Sequence, residues 1–186
     1  MLAALVLVLA LSSSGVALAQ QLVPATRNAI SLTASPVAGS TAFGLHLSYP
    51  LNDTWDFLLG YDTLSASTGR ASLLGIGGRY HFPSTAPNVD PYLAAEYLSA
   101  SITIPGFGTG TGTGFLAGVG ASISLASNWK GFGTVGLVSG AGGTTSAYDA
   151  GIEYRASQQF SLVIGASNVF SSGALYFGVS IGLPGR

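Results

Sequence analysis

The stretch FLAGVGASISL, residues 115–125, decides the fold class of this chain. Every odd position in it is apolar, and four of the five even positions are glycine or serine. Successive side chains of a β-strand point to opposite faces, so this alternation predicts a strand with one apolar face and one small, polar face. The 3.6-residue period of an amphipathic helix is missing.

The same alternation recurs along the chain in ten runs. In residues 43–49 the large apolar residues again share one parity, and in residues 148–155 the charged residues lie opposite the aromatic ones. The connectors are rich in Gly, Ser, Thr, Asn, Asp and Pro, which are the residues of turns. The runs lie near residues 29–36, 41–51, 55–64, 71–82, 91–100, 113–125, 129–138, 147–155, 159–167 and 174–183.

Most runs are close to the roughly 9–11 residues with which a tilted strand crosses a bilayer. We therefore predict ten strands, with eight as the alternative. The seventh run is irregular, because Phe132 does not share the parity of Trp129, Val135 and Leu137. A β-bulge in this run is one explanation.

The composition argues against a water-facing surface. Only 7% of the 186 residues are charged, 48% are apolar and 27 are glycine, whereas a soluble domain is about 25% charged. Low hydrophobicity and high net charge, the signature of disorder, are both missing. The net charge of −1 offers no footprint for nucleic acid. The lack of cysteine excludes disulfides, thiolate chemistry and cysteine-ligated metal.

The N-terminal residues have the pattern of an export signal. Residues 2–11 form an unbroken apolar run, and Ala17 and Ala19 form the Ala-x-Ala pattern of a signal peptidase site. The run is too short to span a bilayer as a helix. We predict a cleaved signal peptide over residues 1–19, a short periplasmic segment over 20–28 and a barrel over 29–183; an uncleaved anchor is the alternative.

The distribution of side chains between the two strand faces indicates a barrel in lipid. A water-soluble barrel would carry many Lys and Glu residues on the face opposite its bulky residues. Here that face is mostly glycine and serine, which suits a narrow barrel interior. A closed barrel also satisfies every backbone N–H and C=O group inside the hydrocarbon. A soluble barrel that binds an apolar ligand is the main non-membrane alternative.

Aromatic residues cluster at the strand ends, as the two interfacial girdles of a membrane barrel require. One girdle is predicted to contain Tyr49, Trp55, Tyr80, Phe82, Trp129, Tyr154 and Phe160. The other ends carry Phe43, Tyr61, Phe115, Tyr148 and Phe177. Because periplasmic turns are short and external loops are longer, the first girdle and both chain ends are expected on the periplasmic side.

The hairpin LGIGGRYHF, residues 74–82, followed by a short turn and PYLAA, residues 91–95, resembles the recurrent hairpin of the small outer-membrane barrels of Gram-negative bacteria, the OmpA/OmpX-like group. The resemblance implies an antiparallel up-and-down transmembrane β-barrel in the outer membrane, without a catalytic signature or a cofactor. It also implies contact with outer-membrane lipids and with the barrel assembly machinery. Contacts with envelope or extracellular partners would be made through short loops.

Charged side chains on the small, polar face point into the barrel, where unpaired charges are costly. If the hairpin around residues 65–70 is symmetric about its centre, Asp56 lies opposite Arg79. We predict this pair within a basal lumen cluster: Asp56, Arg79, His81, Glu153 and Arg155. The other polar lumen residues are predicted to be His46, Asp62, Glu96 and Asp149. These charges are expected to plug the lumen; a permeation path lined by them is the alternative.

Two enzymatic interpretations of the lumen residues compete with the structural plug. His46 and Ser48, with Glu96 as the acid, are similar to the His-x-Ser pair of outer-membrane lipid A deacylases, and a His base beside a hydroxyl suits ester cleavage. Asp62 and Asp149 near one rim invite comparison with ten-stranded outer-membrane proteases. Both pairs have commoner structural explanations. No metal-ligand spacing occurs, and the glycine run at residues 108–112 lacks the lysine of a phosphate-binding loop.

The sequence thus predicts a non-enzymatic integral outer-membrane β-barrel with a structural or envelope-interaction role. Its lumen is expected to be filled largely by small and paired charged side chains. A narrow passive pore is the first alternative, and a lipid-acting enzyme is the second.

Overall fold

The computed structural model describes residues 26–37, 40–140, 142–168 and 174–184. The predicted signal peptide and most of the predicted periplasmic segment lie outside these residues. No helix in the described ranges is long and apolar enough to cross a membrane.

Ten strands make up the described part of the chain. They are β1 (Ala29–Val37), β2 (Ser40–Pro50), β3 (Trp55–Ala66), β4 (Gly69–His81), β5 (Val89–Ile104), β6 (Gly108–Ala126), β7 (Trp129–Gly140), β8 (Gly143–Arg155), β9 (Phe160–Ser167) and β10 (Ala174–Gly182).

Each strand pairs antiparallel with its neighbours in sequence, and β1 closes the sheet against β10. The closing pairs run from Ala29 opposite Gly182 to Ala34 opposite Phe177. Closure removes both sheet edges, so the ladder satisfies the backbone polar groups around the full circumference. The predicted up-and-down β-barrel is confirmed, with ten strands and not eight.

The two faces of each strand carry the side chains that alternation predicts. On β6, Phe115 and Val119 are exposed on the outside, whereas Gly118 and Ser122 are buried inside. Large apolar side chains cover the outer face of every strand for which side chains are described, and the buried polar side chains lie inside. An apolar exterior is the arrangement of a barrel whose surroundings are hydrocarbon, and the interior holds both polar and apolar side chains.

Strand β7 corrects the expectation of a bulge in the seventh run. Trp129, Val135 and Leu137 face outward, and Phe132 turns inward, where it packs with Val163 and Tyr176. The register of β7 with β8 is regular, and the irregular pairing lies at the end of β6, between Ser124 and Ala126. The broken parity therefore comes from one inward aromatic residue, not from a bulge.

The barrel has two ends, which we call proximal and distal. β1 begins and β10 ends at the proximal end, together with the β2–β3, β4–β5, β6–β7 and β8–β9 turns. The first of these turns is held by the Asn52 side chain, whose Oδ1 accepts hydrogen bonds from the backbone N–H groups of Thr54 and Trp55. At the distal end the β5–β6 hairpin is formed by the two longest strands, of 16 and 19 residues.

Candidate functional site: the barrel lumen

The lumen is the candidate site that the sequence predicts, and the polarity of its lining side chains changes along the barrel. Strand β3 illustrates the order: Asp56 lies near the proximal end, Asp62 follows towards the middle, and Leu64 lies near the distal end. Strand β8 repeats it with Glu153, Asp149 and Ala147. The lining thus forms an ionic proximal layer, an acidic middle layer and an apolar distal layer.

The ionic layer is centred on the Asp56 carboxylate, which is fully buried. Arg79 lies opposite Asp56 in the β3–β4 register and donates to Asp56 Oδ2 from Nε at 3.0 Å and from Nη2 at 2.6 Å. His81 Nε2 lies 2.9 Å from the same oxygen, and His81 Nδ1 lies 2.8 Å from Asp90 Oδ1. We call Arg27, Asp56, Arg79, His81 and Asp90 the proximal cluster.

Arg79 is held on several sides. Its guanidinium donates to Ser48 Oγ at 3.0 Å and lies 5.2 Å from the centre of the Tyr92 ring. Hydrogen bonds to a buried charge and contact with an aromatic face offset the cost of removing the guanidinium from water. The Asp56–Arg79 pair is therefore a fixed crosslink between the side chains of two neighbouring strands.

Arg27, like Asp90, is a member of the cluster that the sequence reasoning missed. Its Nε donates to Asp56 Oδ1 at 2.9 Å, and its Nη1 and Nη2 donate to the backbone carbonyls of Asp53 and Asn52 at 3.1 and 2.9 Å. Because Arg27 precedes the first strand, alternation assigns it to no face of the sheet. The one available signal was that a lone arginine beside a narrow barrel mouth needs a carboxylate partner.

Arg155 does not join the proximal layer, which corrects its place in the predicted group of five, whereas Glu153 lies in this layer on the wall opposite Asp56. Glu153 is buried on β8, accepts a hydrogen bond from the Thr26 hydroxyl and lies opposite Lys130 in the β7–β8 register. The Arg155 side chain is exposed. It belongs to the last residue of β8, so it reaches solvent at the barrel mouth where the strand ends.

The middle layer contains the predicted residues His46, Asp62, Glu96 and Asp149, all buried. His46 Nε2 lies 3.3 Å from Asp62 Oδ1, but without hydrogen-bond geometry. Among the described residues, both Asp62 oxygens, His46 Nε2 and the Thr33 hydroxyl have no hydrogen-bond partner.

Asp149 has a hydrogen-bond donor that Asp62 lacks among the described residues, since the Tyr176 hydroxyl donates to Asp149 Oδ1 at 2.7 Å. The middle layer therefore holds three carboxyl groups and one imidazole, and its polar groups are unevenly satisfied.

The distal layer is apolar, which the sequence reasoning did not predict. Its side chains come from several strands and form one buried cluster that includes Leu64, Leu73, Leu98, Leu116 and Val138. The signal was present in the pairs Leu73-Leu74 and Phe115-Leu116, because two adjacent large apolar residues on a strand must face opposite sides. One residue of each pair faces out, and the other fills the lumen.

Glycine on one strand makes room for a large inward side chain on the next. A Cβ atom at Gly165 would lie 2.4 Å from the ring Cζ and the hydroxyl of Tyr176. A Cβ atom at Gly120 would lie 2.6 Å from Cζ of Tyr92. At these two positions glycine therefore leaves the space that an inward tyrosine ring occupies.

The predicted girdle residues lie on the outer face around the proximal end. Trp55 contacts Tyr80 with ring centres 5.0 Å apart, and Trp129 contacts Tyr154 at 4.8 Å. In both pairs the two residues are directly opposite in the strand register. Phe82 packs edge-on against Tyr80. Tyr49 and Phe160 share the outward parity of their strands.

The two enzymatic arrangements are not assembled by the described residues. Ser48 accepts a hydrogen bond from Arg79, while His46 faces Asp62, and both are buried inside the lumen and away from the outer face. Glu96 is buried in the same layer. Within the described ranges no group of three or more His, Asp or Glu side chains is arranged to hold a metal ion.

Comparison with known proteins identifies similar solved structures only. No protein-family model and no curated protein matches the chain. The N-terminal β-barrel domain of Pseudomonas aeruginosa OprF is 18% identical over 83% of this chain and 97% of its own, with a TM-score of 0.44. The NanC porin is 9% identical over 83% and 100%, with a TM-score of 0.49. Neisserial surface protein A is 17% identical over 83% and 92%, with a TM-score of 0.38.

Proposed function

We propose that the chain is a non-enzymatic integral outer-membrane β-barrel protein of a diderm bacterium, with a closed lumen and a structural or envelope-interaction role. The outer face, apolar and bounded by aromatic side chains, supports its placement in lipid. In this proposal the barrel assembly machinery inserts it, and outer-membrane lipids surround it.

The proposal of a closed lumen rests on one observation: side chains fill the lumen at two levels. The apolar distal layer excludes water from one half of the lumen, and Leu73 within it is 1% exposed. The Asp56–Arg79 crosslink occupies the other half, where Arg79 is also 1% exposed. An ion would have to cross an unhydrated apolar layer, and entering such a layer is costly for a charge.

The distal hairpins supply the interaction role. Phe107 at the tip of the β5–β6 hairpin is 89% exposed. A lone aromatic residue held at the tip of the longest hairpin is a contact point for an extracellular or envelope partner.

Single-channel recording tests the closed lumen. The mature protein, refolded and inserted into a planar bilayer, is expected to give no steady current. The variant Leu58→Ala/Leu73→Ala removes two inward side chains, Leu58 next to Asp56 on the inward face of β3 and Leu73 in the distal layer, and is expected to conduct. The matched control Leu59→Ala/Leu74→Ala truncates their outward neighbours and is expected to stay silent. A steady current from the unmodified protein would overturn the closed lumen in favour of a narrow passive pore.

A further inference from the structure

Residues 26–28, directly before β1, lie at the proximal mouth of the barrel. Thr26 donates a hydrogen bond to Glu153 on β8, and the next residue, Arg27, bonds Asp56 on β3. In the closed order of ten strands, β3 and β8 have four strands between them in either direction. Consecutive Cα atoms are only about 3.8 Å apart, so the side chains of these two neighbours, bonded to opposite walls, link those walls across the mouth.

The segment is fixed where it joins the wall. Asn28 has a φ of 55° and is the one non-glycine residue with positive φ in the described ranges. Asparagine tolerates this left-handed conformation better than most residues. Its side chain donates to the Leu183 carbonyl at 3.0 Å, and its own carbonyl accepts from the Leu183 N–H at 2.8 Å. The chain thus bends sharply at Asn28 from the mouth into β1.

Loss of the Arg27 side chain removes its bonds to Asp56 and to two carbonyls of the β2–β3 turn but leaves the other partners of Asp56 in place. Its side chain is 32% exposed, whereas the Asp56 side chain is fully buried. Asp56 keeps Arg79 and His81 as partners when Arg27 is removed. The two groups of contacts on Asp56 therefore differ: Arg79 and His81 belong to the barrel wall, and Arg27 belongs to the crossing segment.

We propose that residues 26–28 form a strap that covers the proximal mouth, with Arg27 as its latch on Asp56, and that release of the latch exposes the proximal ionic layer to water-borne solutes from that side only. The apolar distal layer closes the opposite side. The proximal mouth is therefore the one entrance to the lumen, and the strap controls it. The proposal rests on the proposed function for the side of the membrane that the entrance faces, the periplasm.

Cysteine labelling tests the strap directly, because the chain contains no cysteine. The reporter is Ser180→Cys, on the inward face of β10, where Ser180 is buried and bonded to Ser31. The probe is a small, charged methanethiosulfonate reagent added to the refolded full mature protein in detergent micelles. With Arg27 present, labelling is expected to be slow.

The variant Arg27→Ala is expected to label about tenfold faster, the factor that corresponds to 1.4 kcal/mol. The matched control Arg70→Ala removes an exposed arginine at the distal end and is expected to leave the rate unchanged. A second reporter, Ala147→Cys in the distal layer, is expected to stay unlabelled in every background. If Arg27→Ala exposes Ala147→Cys as well, the barrel has unfolded, and the strap is then tested with Arg27→Lys, which keeps the charge and should give an intermediate rate.

Equal labelling rates of Ser180→Cys with and without the Arg27 side chain would overturn the strap, as would fast labelling in the unmodified background. The rates do not depend on conduction. A steady current from the unmodified protein would therefore contradict the proposed function and leave the labelling result to decide the strap by itself.

Discussion

Two buried aspartates on strand β3 receive very different surroundings. Asp56 and Asp62 both face the lumen and are 1% and 2% exposed. Arg79, Arg27 and His81 surround the carboxylate of Asp56. Both oxygens of Asp62 lack a hydrogen-bond partner among the described residues, although His46 is 3.3 Å away.

The comparison teaches that burial alone does not decide whether a charged side chain in the lumen stabilises the barrel. Removing a carboxylate from water costs several kcal/mol, and only well-placed partners repay that cost. At the proximal end, strand ends and the strap bring three basic side chains to one carboxylate. In the middle layer one imidazole serves three carboxyl groups. Asp56 should therefore stabilise the barrel, and Asp62 should not.

The largest effect is expected for Asp56→Ala. The change leaves Arg79 buried without its main partner, and breaking a buried ion pair typically costs about 3–5 kcal/mol. The free energy of unfolding, followed in urea by the fluorescence of Trp55 and Trp129, should fall by that amount. Asp53→Ala is the matched control, because Asp53 is exposed and bonds Arg27 only through its backbone carbonyl. Equal stability of the two variants would show that the proximal cluster is not a crosslink.

A smaller loss is expected for Tyr176→Phe, which brings Asp149 closer to the situation of Asp62. The change removes one hydrogen bond to a buried carboxylate, worth about 2 kcal/mol, and keeps the ring across Gly165. The free energy of unfolding should fall by about that amount. Tyr148→Phe alters an exposed tyrosine on the outer face and should have no effect. A Tyr176→Phe variant as stable as the unmodified protein would mean that Asp149 does not rely on this hydroxyl.

The smallest effect, with the opposite sign, is expected for Asp62→Asn. The amide has the shape of the carboxylate without its charge, so the variant no longer buries a carboxylate that lacks hydrogen bonds, and it loses only a 3.3 Å contact with His46 that has no hydrogen-bond geometry. The free energy of unfolding should rise by about 1 kcal/mol, the lower end of the penalty for an unsatisfied buried polar group. Loss of stability in this variant would break the comparison, because it would show that Asp62 has a partner as effective as those of Asp56.

Much of the proximal cluster was predictable, because it depends on one hairpin. The tight turn between β3 and β4 sets the register of the two strands, so the sequence alone placed Asp56 opposite Arg79. The prediction omits Arg27 and places Arg155 wrongly for a related reason. Both lie where regular alternation ends, and at such positions parity no longer tells which way a side chain points.

The prediction does not include the apolar distal layer, because it treats the alternation of bulky and small residues as uniform along every strand. Leu73 and Leu116 are inward residues with large apolar neighbours, and a rule that assigns bulk to lipid and small residues to the lumen cannot place both members of such pairs. Phe132 is the same case on β7, where an inward ring replaces a small residue.

The sequence by itself determined the ten strands, which face of each is apolar, the closed barrel and the register of the β3–β4 hairpin. These follow from local alternation and from turn length, which act over a few residues. The tertiary structure alone decided which distant side chains meet: Arg27 with Asp56, Tyr176 with Asp149 and the strap with both walls. Closure and stagger of all ten strands set those contacts, so no single stretch of the chain contains the information.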